Sequence, residues 1–361
     1  MDPVGFLATA KKASRPIWGP LKRRTKCWLL GCGALALWYF PYAIFRGTIA
    51  GLIVGLIGLA LLAWMGAVVS EGETYGRRAL TAPNLFYFWR WYIRNAGRML
   101  RARTARHICS GTARTAQAIT KQGIVVGPST QFLTEEGCEA LAKAGELVLG
   151  ISRGTEVGDR IARGVSDLDK PYVVDLIPRD LEHDAESPLV RLAMDKKLLE
   201  IVSLYLGLWP RLHALEAWLN FPTAGEPMKS QLWHRDPEDL RLVKVFIYLV
   251  DVDENCGPFC YIPETHPFST GAAKVPRRRI TDEQMRVAFA PERWLTCTGP
   301  ANTMILADTV GYHRGGRSTK GNRIVISLIY TSGTPFLKRV LYVSGRPTWF
   351  THAIQRHAFM S

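Results

Sequence analysis

The hexapeptide Gln231-Leu-Trp-His-Arg-Asp236 sets an imidazole and a carboxylate two residues apart. On an extended strand, positions i and i+2 share one face, so His234 and Asp236 can reach a single metal ion. Downstream, Asp308-Thr-Val-Gly-Tyr-His313 supplies a second imidazole, and Gly321-Asn-Arg323 opens a further β-rich run. Two histidines and one carboxylate on one face of an iron ion leave three positions open, which suits a chelating 2-oxo acid together with dioxygen. His234, Asp236 and His313 are therefore the expected metal ligands and catalytic residues. Arg323 offers a planar fork that pairs with the far carboxylate of 2-oxoglutarate through two parallel hydrogen bonds, a geometry that lysine matches poorly.

Around these motifs the texture is that of short strands. Residues 242–252, 259–262, 303–307 and 324–331 are β-rich runs separated by Gly, Pro and Asn, a pattern of sandwiches and barrels rather than of alternating strand and helix. Upstream, Thr134 with Glu135 and Glu136 opens an amphipathic helix whose apolar face runs through Ala140, Leu141, Ala144, Leu147 and Val148, its acids placed at the positive end of the helix dipole. Residues 187–206 read as a second helix.

Taken together, the blocks Asn220-Phe-Pro222, His234-Arg-Asp236, Asp253-Glu-Asn-Cys-Gly257-Pro, Ile262-Pro-Glu-Thr-His266, His313 and Arg323 resemble the phytanoyl-CoA dioxygenase family over about residues 125–335. The resemblance implies an α+β chain built on a double-stranded β-helix, the cupin-like jelly roll, with flanking helices. It implies Fe(II) as the metal, 2-oxoglutarate and O2 as cosubstrates, and hydroxylation of a small molecule as the reaction. Related halogenating enzymes carry a small residue where Asp236 stands, so retention of the carboxylate favours hydroxylation. Phe246 falls where the family often places an aromatic residue near the cosubstrate, and strand alternation puts Lys244 and Tyr248 on its face. Ser327 shares the face of Arg323 and is the third expected cofactor-binding residue. His266 has a structural place in the family turn, and Glu264 stands where the family usually has glycine. Arg314 and Arg317 lie beside the expected iron site and read either as contacts for an anionic substrate or as solvated loop charges.

The formal charge of +15 is concentrated at one end of the 361-residue chain. Residues 1–122 hold 18 Lys/Arg against 3 Asp/Glu, and the remaining 28 basic residues are balanced by 28 acidic ones. Two apolar stretches, 27–45 and 47–69, sit within that end, and the second is uncharged and long enough for a hydrocarbon core of about 30 Å. The expected organisation is a basic tail (1–26), a transmembrane helical hairpin (27–70), a basic interfacial helical linker (71–122), the dioxygenase domain (123–345) and a C-terminal tail (346–361). The expected localisation is a membrane, with the catalytic domain facing the cytoplasm under the positive-inside rule. Arg90, Arg94, Arg98 and Arg101 follow a run of aromatic residues at helical spacing, which suits a headgroup layer or packing on the catalytic domain. Beside such spans a lipid-like small-molecule substrate is expected and a nucleic-acid partner is not. Seven scattered cysteines, an odd number, point to free thiols in a reducing compartment. The competing functional class is a catalytically silent jelly-roll binding or scaffold protein at the membrane, since fold does not dictate function.

Overall fold

In a computed structural model of the protein, residues 89–104, 110–154, 157–159, 170–178, 182–266, 269, 279–337, 341, 343–345 and 347–359 are described. In chain order the elements are α1 (Ala96–Thr104), α2 (Ser110–Gln122), β1 (Ile124–Pro128), α3 (Glu135–Ser152), β2 (Val173–Ile177), β3 (His183–Asp184), α4 (Pro188–Ala193), α5 (Lys196–Leu206), β4 (Arg211–Asn220), β5 (Val243–Tyr248), β6 (Phe259–Tyr261), β7 (Leu295–Cys297), β8 (Thr303–Ala307), β9 (His313–Gly315), β10 (Arg323–Thr331), β11 (Val343–Ser344) and α6 (Ala353–Phe359), with shorter helical turns between them. Six strands form an antiparallel sheet in the order β1-β8-β5-β10-β4-β2, and β7-β6-β9 form a second antiparallel sheet. The short β11 and β3 pair in parallel.

Side-chain alternation gives the large sheet two unlike faces. Outward, Val243, Val245 and Ile247 of β5 and Ile324, Ile326 and Leu328 of β10 join a core with Leu141, Ala144 and Val148 of α3 and Leu198, Ile201 and Val202 of α5. Each such buried aliphatic side chain contributes roughly 1.5–3 kcal/mol. Inward, Phe246, Tyr248, Ile305 and Val325 meet Phe259, Tyr261 and Cys297 of the small sheet. Two facing antiparallel sheets with helices on the outside agree with the expected α+β jelly roll. Register sets the inner rows: Arg323 opposite Asn220, Val325 between Trp218 and Tyr248, Ser327 between Glu216 and Phe246, and Ile329 between Ala214 and Lys244.

Helix α3 begins where its acids and cap place it. The Thr134 hydroxyl accepts from Gly137 N, Glu135 and Glu136 fill the first turn, and Ala140, Leu141, Ala144 and Val148 are buried. Leu147 departs from the expected face and is exposed. The helix expected over 187–206 is two helices, α4 and α5, because the Asp195 carboxylate accepts from Leu198 N at 2.9 Å and caps a new start. The same carboxylate accepts from Thr134 N, tying the cap of α5 to that of α3.

The N-terminal expectations need correction. No helix among the described residues is long and apolar enough to cross a membrane, which overturns the localisation inferred from hydropathy. The stretches 27–45 and 47–69, on which the transmembrane hairpin rested, lie outside the described residues. Within the segment expected to be an interfacial linker, Trp91, Ala116 and Ile119 are buried in the main core, and α2 lies against α5. Arg98 donates to the carbonyls of Trp209 and Pro210 at 2.9 and 3.0 Å, so α1 packs on the catalytic domain, one of the two environments expected for it. Cys138, Cys256, Cys260 and Cys297 are free thiols.

Candidate metal centre

The three expected ligands converge. His234 and His313 exchange backbone hydrogen bonds of 2.9 and 3.0 Å, which sets their rings 4.3 Å apart between centroids. Each Nδ1 sits beside a carbonyl two residues back, Leu232 O at 2.8 Å and Gly311 O at 3.0 Å. A carbonyl can only accept, so each Nδ1 carries a proton and donates, which makes Nε2 the ring atom that faces the metal position. Asp236 Oδ1 lies 3.7 Å from His234 Nε2, and Oδ2 lies 3.4 Å from His313 Nε2. One ligand atom from each residue falls within 4.8 Å of the other two, so small side-chain adjustments bring all three to one ion with bonds of about 2 Å. Burial, and then the neighbouring His313, lowers the His234 pKa to about 3, so its ring is neutral and able to ligate near pH 7.

The local backbone differs from the strand expected for this motif. His234 forms only an isolated bridge, and Asp236 lies in the extended loop beyond it. The loop is held from across the site: Asp236 N donates to Thr309 O at 2.8 Å, and Arg235 Nε donates to Val310 O while its guanidinium lies 5.1 Å from the Tyr312 ring centroid. The turn before His313 is fixed in its own way. Asp308 is fully buried, accepts from Val310 N and the Tyr205 hydroxyl, and its backbone N donates to Gly123 O. Burial raises the Asp308 carboxyl to about 6, against the opposing hydrogen bonds from Tyr205 and Val310. Gly123 has a φ of +80°, and a Cβ there would overlap the Tyr261 hydroxyl, so this close approach requires glycine.

A buried lysine touches the proposed metal ligand. Lys244 Nζ is 2.7 Å from Asp236 Oδ2 and 3.1 Å from Glu238 Oε1, with all three side chains about a tenth exposed. Burial works against the charged carboxylate of Asp236, but Lys244, followed by His313 and His234, outweighs it and holds the group well below the usual carboxylate range. Burial likewise opposes the charge on Lys244, and Asp236 and Glu238 together raise its pKa above the ordinary value. Neither the ion pair nor Glu238 was anticipated. A lysine at the second position of the otherwise apolar run Val-Lys-Val-Phe-Ile-Tyr was the available signal.

Arg323 is buried against the second sheet. Its Nη2 donates to Asn220 Oδ1 at 3.1 Å, and that oxygen also accepts from Trp218 Nε1 at 2.9 Å. Arg323 Nε and Nη1 have no hydrogen-bond partner among the described residues, and neither does the hydroxyl of the fully buried Ser327. Burial lowers the pKa of this guanidinium from its ordinary value. Gly315, two residues after His313, lies beside Arg323 Nη2, so β9 links the proposed ligand to the cation. Phe246 sits in the inner row with Ser327. Its ring is 4.7 Å from Phe259, which stacks on His313 at 5.6 Å. Tyr248 shares the inward face, but its hydroxyl donates to Cys297 O and accepts from Phe259 N.

The remaining motif residues are structural. His266 Nε2 donates to Thr120 O at 3.0 Å near the end of α2. Arg314 pairs with Asp282 and lies over the Trp233 ring at 4.8 Å, and Arg317 donates to Gly225 O. Glu264 has a φ of +62°, the left-handed region in which glycine is at ease, at the position where the resembled family carries glycine.

No protein-family model and no curated protein matches the sequence. Among solved structures, the chain is similar to the non-heme α-ketoglutarate-dependent epimerase SnoN from nogalamycin biosynthesis, with 16% identity over 64% of this chain and 86% of that one and a TM-score of 0.38. It is similar to EctD from S. alaskensis with bound Fe, at 20% identity over 68% and 85% of the two chains and a TM-score of 0.42. It is also similar to HygX from Streptomyces hygroscopicus with nickel, 2-oxoglutarate and hygromycin B bound, at 15% identity over 64% and 96% with a TM-score of 0.39. At such identities and scores, the functional reading rests on the geometry of the site itself.

Proposed function

We propose that the protein is an Fe(II)- and 2-oxoglutarate-dependent oxygenase that hydroxylates a small molecule. The observation that carries this is a pairing: a His-Asp-His set able to share one ion, and a buried guanidinium with two unpartnered nitrogens on the neighbouring strand. An unsatisfied buried cation costs free energy, so its retention here is explained by a ligand carboxylate that completes it. The donor set fits iron, and the unpartnered Arg323 nitrogens and Ser327 hydroxyl fit the far carboxylate of a dicarboxylic 2-oxo acid. When bound, the iron and 2-oxoglutarate supply the oxidising chemistry that protein side chains lack.

The chain's own groups do the rest. His234 and His313 donate Nδ1–H to Leu232 O and Gly311 O, which turns both Nε2 atoms toward the metal position. Asp236 supplies the anionic ligand, kept charged by Lys244. Arg323 and the Ser327 hydroxyl would hold the far carboxylate of the cosubstrate, and Phe246, Phe259 and Val325 wall the inner space and exclude water. The expectation of a lipid-like substrate rested on membrane placement and has no support among the described residues. The test is anaerobic addition of Fe(II) and 2-oxoglutarate, which should give a weak visible charge-transfer band. The band should vanish in His313→Ala. A protein that binds iron but shows no 2-oxoglutarate-dependent band is not such an oxygenase, and one that binds neither is a silent jelly roll.

A further inference from the structure

The arginine face of α1 is not used by the metal centre. Arg94, Arg98 and Arg101 line one side of an open cavity of about 770 Å³, Arg356 and His357 of α6 line the other, and Trp209 stands in its wall. That volume is within the range of small-molecule sites. Four guanidinium groups line it, and no Asp or Glu is among its described lining residues. The partners of three of them are all uncharged. Arg98 donates to the carbonyls of Trp209, Pro210 and His357, Arg101 meets His357 Nε2, and Arg356 donates to Phe350 O. Carbonyls satisfy the N–H groups but leave the positive charge unneutralised, and guanidinium groups held this close repel one another. Burial, and then the nearby Arg211 and Arg101, lowers the Arg98 pKa to about 10, in keeping with that repulsion. The Trp209 and His357 rings, 4.9 Å apart, add an aromatic wall.

We propose that this cavity is a second ligand site, separate from the metal centre, which takes a small polyanion carrying two or more phosphate groups. A single carboxylate would neutralise one guanidinium among those of Arg98, Arg101 and Arg356, whereas a diphosphate or triphosphate offers several oxygens in the fork geometry that arginine matches. The cavity has room for more than an inorganic ion, so an organic portion against Trp209 and His357 fits as well.

The test uses the full chain without added iron or 2-oxoglutarate, so its result is independent of the oxygenase reading. Pyrophosphate and ATP are titrated calorimetrically at about 0.1 M salt, where the Debye length of roughly 10 Å screens distant charges. Both should bind, ATP the tighter, and Arg101→Gln with Arg356→Gln should weaken binding at least about tenfold per guanidinium removed. Arg286→Gln, on an exposed helical turn elsewhere, should leave it unchanged. In the unaltered protein, ATP should slow amide hydrogen exchange at residues 94–101 and 353–357, a readout that does not depend on any variant folding. Absence of binding, affinity unchanged in the double variant, or protection confined to other regions of this +15 chain overturns the proposal.

Discussion

Replacing Lys244 with methionine isolates the electrostatics of the proposed metal centre. Methionine keeps an unbranched apolar stem of similar length and removes the charge together with its N–H donors. In the folded protein the ammonium lies 2.7 Å from Asp236 and 3.1 Å from Glu238. At an effective dielectric of about 20, the closer contact alone is worth about 6 kcal/mol of attraction, part of which offsets desolvation. Removing one partner of a buried pair typically costs about 3–5 kcal/mol, because the other charge stays buried and unpaired. Two carboxylates are orphaned here, so Lys244→Met should lower the unfolding free energy of the metal-free protein by at least about 3 kcal/mol in urea titrations. A divalent ion would then be the only strong counter-charge left to Asp236. Stabilisation by anaerobic Fe(II) or by Co(II), which grows as ligand affinity rises for the native state alone, should therefore be larger in the variant than in the parent. If the variant unfolds within about 1 kcal/mol of the parent and responds to metal identically, Lys244 is not the counter-ion of the ligand and the electrostatic account is wrong.

Arg323→Lys should weaken 2-oxoglutarate binding at least tenfold, since an ammonium cannot offer two parallel donors, while metal affinity measured by Co(II) absorbance stays within about twofold. Asp308→Asn tests the buried carboxyl. Its folded pKa of about 6 lies above the ordinary 3.8, so the protonated form stabilises the fold below pH 4 and that contribution is lost as pH rises through 6. The stability of the parent relative to Asp308→Asn should accordingly fall by roughly 2 kcal/mol between pH 4 and 7, and a pH-independent difference would refute it. Glu264→Gly should raise stability by about 1 kcal/mol by relieving the left-handed backbone, as read from the thermal midpoint, although the weak contact of Glu264 with Arg293 at 3.8 Å is lost.

The ligand set was legible because its chemistry needs particular residue types at short spacings. His234, Asp236, His313 and Arg323 could be named from their order alone, and the β-rich runs around them announced two sheets. The i to i+2 argument for His234 and Asp236 picked out side chains that do come together with His313, but through a backbone that is not a strand beyond His234. Asp236 is aimed by bonds to Thr309, over seventy residues away in sequence, and a local pattern holds no record of such a partner. The place of residues 89–122 was hidden from hydropathy for a related reason. Hydropathy reads each segment as if surrounded by one solvent, whereas Trp91, Ile119 and the arginines of α1 are placed by packing on the sheet domain.

Composition and spacing by themselves determined which side chains could bind a metal and an acid, because donor type and charge are properties of single residues. Only the tertiary structure decided that Lys244 faces Asp236, that Arg323 keeps two nitrogens unsatisfied, and that four arginines line one open cavity. The physical reason is that ion pairing and desolvation depend on distance and burial, which strand register and helix docking set between residues remote along the chain.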